Sequence, residues 1–532
     1  MMNLTLKGLI HWSPFSGLLI SLIITGLMIT PVILNPLVPL NDYPFHLARI
    51  VILSDLENPV YSQFYKQGSF LLPNMAMDMI AVPLANFVGS ETASRIFVML
   101  CLLSMLGGTM MLHKGAHKRF SPWPLLAVSL LFNGIFRFGF LNYIFGVGVA
   151  FFVAGLWLCM RPCYFRMLFT LLASLLLVLL HFSAFAVFAI IIGSFEIHTA
   201  YLHWRIKGSK SSIFQLLVAA SPFLFVIALF ILLSPTAEVA NQGIAYPSFL
   251  GAKPLGALYS ILTGIKALDI FIFSSIVITF SFLLSTKRIQ FSPPLILAFF
   301  MMSLAFMVLP SSMMGAFFVD VRLGPAIALL GIAAIDIKAD SINSNRLVAC
   351  LAVLIAILIS TNISTQWHDF NNKTSKIIKA FNKTEEGATI FCATTQPFTH
   401  LITDSPERRA AWNPPLKHVA SYAVLTGPKF VPMTFVNPTQ QPLNIVSKYK
   451  VVKEFQGDTP RKTYTAHELE IFLLEIKEKL LSKSWPQLDN VYVFVMGFDR
   501  IQDNFNLRIL KGWGYIAELK NDHILIKINL MP

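Results

Sequence analysis

The sequence predicts a polytopic α-helical membrane protein of about 11–13 spans, followed by a soluble α/β domain. Three observations support that class. Hydrophobic residues make up 55% of the 532 and charged ones only 13%, against about 25% charged in soluble domains. Apolar runs of roughly 17–25 residues, enough for a hydrocarbon core of about 30 Å, recur over the first two-thirds. Near residue 365 the composition changes: charged residues, Asn, Gln, Thr and Pro return, and the apolar runs shorten.

The candidate spans fall at 15–35, 70–90, 94–112, 122–136, 139–160, 167–182, 184–202, 213–234, 268–286, 292–310, 322–337 and 347–364. The first run is longer than the apolar region of a cleavable signal peptide and reads as an uncleaved helix. Orientation follows from Lys and Arg in short loops. Trp204-Arg205, Lys287-Arg288 and the stretch 338–346 read as cytoplasmic. The loops at 36–70, 235–267 and 311–321, and the tail after 365, are then external. Placing Arg161 to Arg166 inside requires an odd number of crossings between 70 and 160. The two weakest runs are 70–90, which contains Pro73, Asp78 and Pro83, and the short 122–136. One of them is expected to be re-entrant, as broken backbone at membrane depth survives only inside protein or beside a wet cavity.

The formal net charge of +14 lies largely in these short loops, which fits membrane orientation better than nucleic-acid binding. The five cysteines form no CxxC pair and suggest neither a disulfide framework nor a zinc site. The chain is expected to divide into a membrane module over 1–364, with its first external loop at 36–70, and an extracytoplasmic α/β domain over 365–532. In that domain 388–393, 429–435, 491–498, 514–519 and 523–529 read as strands. Residues 465–483 read as an amphipathic helix with Thr465 and Glu468 in a capping box.

The stretch PLNDYPFHLARI (39–50) follows the first span directly. Asp42 suits a helix N-cap, with Pro44 in the first turn. His46 and Arg49 then lie one and two turns along, on a similar face. Polar groups in or beside the other spans add candidates: Asp78, Arg137, Asn142, His181, Asp320 and Arg322. A lone Arg at a membrane edge is most often snorkelling, and a helix-terminal His often bonds a carbonyl. An unpaired polar group inside a span is by default a functional candidate. Glu196 and Asp269 read as paired structural groups, and His418 as a surface residue of the tail.

NDYPFHLARI after the first span resembles the first external loop of GT-C-type glycosyltransferases. GFLNYIFGVGVAFFVAGLWL (139–158), HFSAFAVFAIIIGSFE (181–196) and VDVRLGPAIALLGIAAI (319–335) resemble bacterial membrane proteins assigned to that superfamily. HVASYAVLTGPKFVPMTFVNPTQQPL (418–443) resembles their extramembrane segment. The resemblance implies a polyprenyl-phosphate-linked sugar donor and an acidic base in the first loop, here Asp42. It implies an extracytoplasmic acceptor, either a glycolipid or a surface polysaccharide, and a bacterial inner membrane with the tail in the periplasm. The tandem acidic pair of some branches and a WWDxG-like motif are absent, which argues against protein N-glycosylation.

For such a transfer a carboxylate must take the acceptor's proton, and cations must stabilise the departing phosphate. Asp42 is the expected base of a single inverting displacement. His46, Arg49, Arg137, Asn142, His181 and Arg322 are candidates for the donor's phosphate or sugar, and Asp78 and Asp320 for cavity acids. Asp42, His46, Asp78 and Asp320 could also ligate Mg²⁺ or Mn²⁺, although no spacing motif unites them. A lipid-glycan transporter or flippase, a polysaccharide polymerase or ligase, and a non-catalytic scaffold are the rival readings. A transporter would place its polar groups at mid-depth, and a scaffold would scatter them.

Overall fold

The structure, a computed structural model, describes residues 14–207, 209–239, 243–246, 252–313, 315–338, 342–395, 416–458, 460, 462–520 and 522–529. Parts of the 235–267 loop, positions 339–341 of the basic stretch and the turn residue Asn521 lie outside them. Among the described residues, seven helices are long and apolar enough to cross a membrane: Gly17–Leu34, Ser90–His117, Leu141–Cys159, Phe182–Arg205, Ser211–Leu233, Lys266–Ser285 and Asn343–Phe381. Five shorter apolar segments accompany them: Ala76–Val88, Trp123–Phe138, Tyr164–Leu180, Pro293–Val308 and Leu323–Ala333. The chain is an integral membrane protein.

Each expected apolar run corresponds to one of these segments, with two physical differences. Residues 122–136 form no continuous α-helix. They make a 3₁₀ helix at Trp123–Leu130, a break, and a short α-helix at Gly134–Phe138 whose first turn Asn133 caps. Every residue of Trp123–Leu130 is buried, so the irregular backbone is enclosed by neighbouring helices, as it must be in lipid. The last membrane helix continues to Phe381, past the expected change at 365.

Helices Ser90–His117 and Leu141–Cys159 are in backbone contact. Gly108 and Gly115 on one face Gly148 and Gly155 on the other, and a Cβ at any of the four would collide with the opposite main chain. The seven-residue spacing keeps both glycines of each helix on one face, the small-residue contact typical of membrane helices. Asn371 of the last helix accepts from the Leu37 amide (2.9 Å) and donates to its carbonyl (2.7 Å), fixing where the first loop begins.

The tail holds a four-stranded sheet in the order Thr389–Thr394, Val491–Met496, His523–Ile528, Gly514–Leu519. The first pair is parallel and the others antiparallel. A parallel pair needs a crossover, and helix Ala466–Leu481 lies in it, with the expected capping box at Thr465 and Glu468. Residues 429–435 do not form the expected strand. Phe430 makes one bridge to Thr389, Pro432 has no N–H to give a ladder, and a turn follows in which Thr434 N–H donates to Val431.

The first loop and the tail are stitched together. Tyr65–Gln67 pairs antiparallel with Leu443–Ile445. Phe64 stacks on Phe430 at 4.6 Å and tilts against Tyr449 at 4.8 Å. The first-loop helix, Tyr43–Ser54, is buried along most of its length. Such aromatic pairs add about 0.5–1.5 kcal/mol each beyond their buried area.

Candidate active site

A cavity of about 370 Å³ opens where the first loop, the start of Leu141–Cys159 and the tail meet. Asp42, His46, Arg49, Asn142, His181 and Arg322 line it, with Lys417, His418 and Gln441 from the tail. Six of the sequence-selected residues are therefore brought together.

Asp42 occupies the N-cap position of Tyr43–Ser54, but its side chain makes no capping hydrogen bond. Its backbone is held instead: the Asp42 amide donates to Phe138 O (3.1 Å), and the neighbouring Asn41 amide to Arg137 O (3.1 Å). Asn41 Nδ2 donates to Asp42 Oδ1 at 2.6 Å, and His418 Nε2 stands 3.6 Å from the same oxygen. The side chain is 25% exposed, open to the cavity it lines. Burial by the surrounding protein raises its pKa to about 7, against the lowering influence of Lys417, the Asn41 hydrogen bond and Arg322. A carboxyl poised near neutrality matches the requirement for a general base.

Gly139 brings the main chains this close. Its φ is +97°, and a Cβ there would lie 2.9 Å from the Asp42 amide nitrogen and 3.0 Å from the Asp42 Cβ. A left-handed backbone costs a non-glycine residue about 1–2 kcal/mol, and misplacing a catalytic group by 1 Å costs about 10²-fold in rate. Gly139→Ala is therefore expected to lower turnover by about 10²-fold while the protein stays folded. Turnover within twofold of wild type would show that this contact does not set the Asp42 position.

His46 is a structural member of the wall. Its Nε2 donates to Gly139 O at 2.9 Å, which leaves Nδ1 to accept from Arg49 Nη2 at 3.1 Å. Burial, followed by the Arg49 charge, lowers its pKa to about 3, so the ring is neutral and both nitrogens are engaged. Arg49 is fully buried and forms a bidentate pair with Asp78, Nε to Oδ1 at 2.6 Å and Nη2 to Oδ2 at 3.1 Å. Its Nη1 has no partner among the described residues. Asp78 thus serves as the counter-ion of Arg49 and does not line the cavity.

Arg322 stacks on Phe140, its guanidinium carbon 4.1 Å from the ring centroid, and donates through Nη2 to Phe317 O at 2.8 Å. The Ser183 amide donates to His181 Nδ1 at 3.1 Å, which places the His181 proton on Nε2. That N–H faces Arg322 Nη1 at 3.4 Å, and Arg322 Nε has no partner among the described residues. Two donors turned toward each other are satisfied by a shared anionic oxygen.

Asn142 lines the cavity while holding its floor: Oδ1 accepts from Met77 N–H (2.7 Å) and Nδ2 donates to Asn74 O (2.5 Å). Two candidates fall elsewhere. Arg137 donates to Thr263 O at 2.5 Å, against the turn that Asp269 organises by accepting from Thr263 and Gly264; its guanidinium leaves the cavity. Asp320 accepts from the Val321 amide and lies 3.6 Å from Lys253, also outside. Glu196 is paired with Arg166 at 3.0 Å, as expected.

His418 is buried, not a surface residue, and stacks on Phe45 with centroids 3.9 Å apart. Burial, then Lys417 and Lys453, lowers its pKa. Gln441 and Tyr143 carried no separate signal in the sequence beyond lying in the quoted stretches, and Lys417, just before one of them, carried none. Asp42, His46, Asp78 and Asp320 do not converge as one ligand set. Among the described residues, no three His, Cys, Asp or Glu side chains group as a metal site would require.

No family model matches the sequence, and no curated protein gives a significant match. Solved structures resemble it. The crystal structure of ArnT from Cupriavidus metallidurans in the apo state superposes with a TM-score of 0.52 at 9% identity, over 97% of this chain and 98% of that one. The same protein bound to undecaprenyl phosphate gives 0.49 at 10% identity, over 96% and 97%. The apo structure establishes the fold: this chain has the fold of that ArnT over nearly its whole length.

Proposed function

We propose that this protein is an inverting GT-C glycosyltransferase that moves a sugar from a polyprenyl-phosphate-linked donor to an extracytoplasmic glycolipid or surface polysaccharide. The observation that carries the reading is that one cavity is lined both by a carboxylate whose side chain makes no cap bond, Asp42, and by the cations Arg49 and Arg322 with His181. Asp42 takes the proton of the attacking hydroxyl. Arg322, His181 and Arg49 receive the charge that develops on the departing phosphate. One carboxylate suffices because a single displacement inverts the anomeric centre.

The undecaprenyl phosphate of the second ArnT structure is a ligand of the donor class this reading assigns. Fold analogy by itself does not assign function, so the weight rests on the cavity. Against a transporter, the polar groups gather at the N-terminal end of Leu141–Cys159 and not at its midpoint. Against a polymerase or ligase, the carboxylate comes from the first loop. The setting is a bacterial inner membrane with the tail in the periplasm.

The test is mass spectrometry of surface glycolipids and polysaccharides from cells with and without the protein, and from cells carrying Arg322→Gln. The expected result is loss of one sugar residue's mass on deletion, reproduced by Arg322→Gln at normal protein abundance. An unchanged glycan profile on deletion would remove the reading.

A further inference from the structure

A second cavity, of about 860 Å³, shares no lining residue with the one around Asp42. It lies at the other end of the same helices. Asn142 and Tyr143 of Leu141–Cys159 line the first cavity, and Trp157 and Leu158 line this one, about 21 Å further along the helix axis. The basic loops make this end the expected cytoplasmic one. Tyr164, 91% exposed, and Trp204, 55% exposed, stand at that end, as aromatic side chains do at headgroup level. Ile192 lies near the middle of Phe182–Lys207 and Pro222 near the middle of Ser209–Leu233. With Phe195 and Val218 they give the cavity an apolar wall that extends towards the bilayer centre.

Two cations line the same cavity, anchored on neighbouring residues of one helix. Lys118 donates to Leu158 O at 2.5 Å. Arg166 stacks on Trp157, its guanidinium carbon 4.0 Å from the ring centroid, and donates through Nη2 to Glu196 Oε1 at 3.0 Å. Both oxygens of Glu196 are engaged, since Oε2 accepts from Gln215 at 3.1 Å, and Gln215 Oε1 meets His203 Nδ1 at 2.9 Å. Arg166 keeps Nε and Nη1 without a hydrogen bond among the described residues. Its side chain is 20% exposed, and Lys118 is exposed. Lys118 and Arg166 against Glu196 leave one net positive charge, with His203 neutral. A cation that only orients the chain needs no more than the aqueous side of the membrane. These two are fixed where an apolar cavity meets that side.

We propose that this cavity binds an anionic glycerophospholipid of the inner leaflet, its phosphodiester held by Lys118 and Arg166 and an acyl chain laid against the apolar wall. The assignment does not rest on the transferase reading, because the two cavities have no residue in common. Arginine offers its planar fork to phosphate oxygens, and lysine a point charge. Net charge selects among lipid phosphates. A diester with an uncharged headgroup carries one negative charge and balances the lining. A phosphate monoester carries about −1.5 to −2 and would leave an excess beside Glu196. A choline headgroup would bring its own cation against Lys118 and Arg166.

The experiment titrates the full chain in detergent with phosphatidylglycerol or with phosphatidylcholine of the same acyl chains, and reads the adducts by native mass spectrometry. Undecaprenyl phosphate and glycerophosphoglycerol, the headgroup without chains, serve as competitors. Phosphatidylglycerol is expected to bind about tenfold more tightly than phosphatidylcholine, the size of a charge-assisted contact, and neither competitor displaces it at equal concentration. Lys118→Gln weakens it by about tenfold, and Lys118→Arg restores it. Ala219→Trp, which fills the cavity that Ala219 lines, abolishes it. Lys287→Gln, at the same end but outside the lining, leaves it unchanged. If Ala219→Trp does not fold, Lys118→Gln decides the matter, because an exposed side chain is replaced. Equal binding of the two phospholipids, or equal effects of Lys118→Gln and Lys287→Gln, would reduce the contact to attraction by a basic surface and overturn the proposal. Displacement by glycerophosphoglycerol would overturn the role of the acyl chain, and displacement by undecaprenyl phosphate the choice of a diester. None of these outcomes bears on the transferase reading, whose test is the glycan profile.

Discussion

Asp42→Asn is expected to lower sugar transfer by about 10²–10⁴-fold, the range typical of a lost general base, with little change in stability. The side chain makes no cap bond that the amide would forfeit, and Asn is as good an N-cap as Asp. The pH dependence has a definite sign. On the proposed mechanism Asp42 works as a carboxylate, and burial raises its pKa to about 7. In the wild type kcat/KM should therefore rise about tenfold per pH unit up to neutrality and level off above it. Lys417 lowers the Asp42 pKa, so Lys417→Met should move the rising limb to higher pH. Burial lowers the His418 pKa well below that of a free imidazole, so it is not expected to add a limb near neutrality. A profile for Asp42→Asn with wild-type rate and shape would assign the base elsewhere.

The second large effect is on stability. The Arg49 and Asp78 side chains are 1% and 3% exposed and lie 2.6 Å apart. Removing one partner of a buried pair strands the other charge and costs about 3–5 kcal/mol. Asp78→Leu should accordingly lower the detergent melting temperature sharply and reduce membrane abundance. Arg49→Met with Asp78→Leu removes both charges and should recover most of the stability, since apolar replacement of a buried pair is often neutral. On the proposed reading the double variant should remain poorly active, because the Arg49 guanidinium is then missing from the cavity wall. Recovery of activity together with stability would make the pair purely structural. Equal melting temperatures for wild type and Asp78→Leu would contradict the buried geometry.

The membrane helices were legible because a span is a local property: length and hydropathy suffice, and every apolar run reappears in the structure. Residues 122–136 show the limit. Apolar length does not distinguish an α-helix from 3₁₀ backbone. In the tail, apolar character at 429–435 suggested a strand that Pro432 prevents. Within the cavity, Asp42 and Arg49 were legible from their local spacing on one short helix. His418 was not, since its place beside Asp42 depends on a contact between distant parts of the chain. Arg137 misled for the same reason: a cation alone in sequence has its partners, Thr263 O and the Asp269 turn, far along the chain. Solitude in sequence is no measure of solitude in space.

The pairing of Tyr65–Gln67 with Leu443–Ile445 also sets a clock on biogenesis. At roughly 5–20 residues per second, the ribosome delivers the second strand tens of seconds after the first. Throughout that interval the loop bearing Asp42 lacks its partner strand and the Phe430 and Tyr449 rings that pin it. A nascent chain therefore carries the carboxylate without an assembled pocket, and on the proposed reading activity should arrive as a single late event when the tail docks. A chain terminated before Lys417 lacks the tail's whole share of the cavity wall, and on the proposed reading it should transfer no sugar.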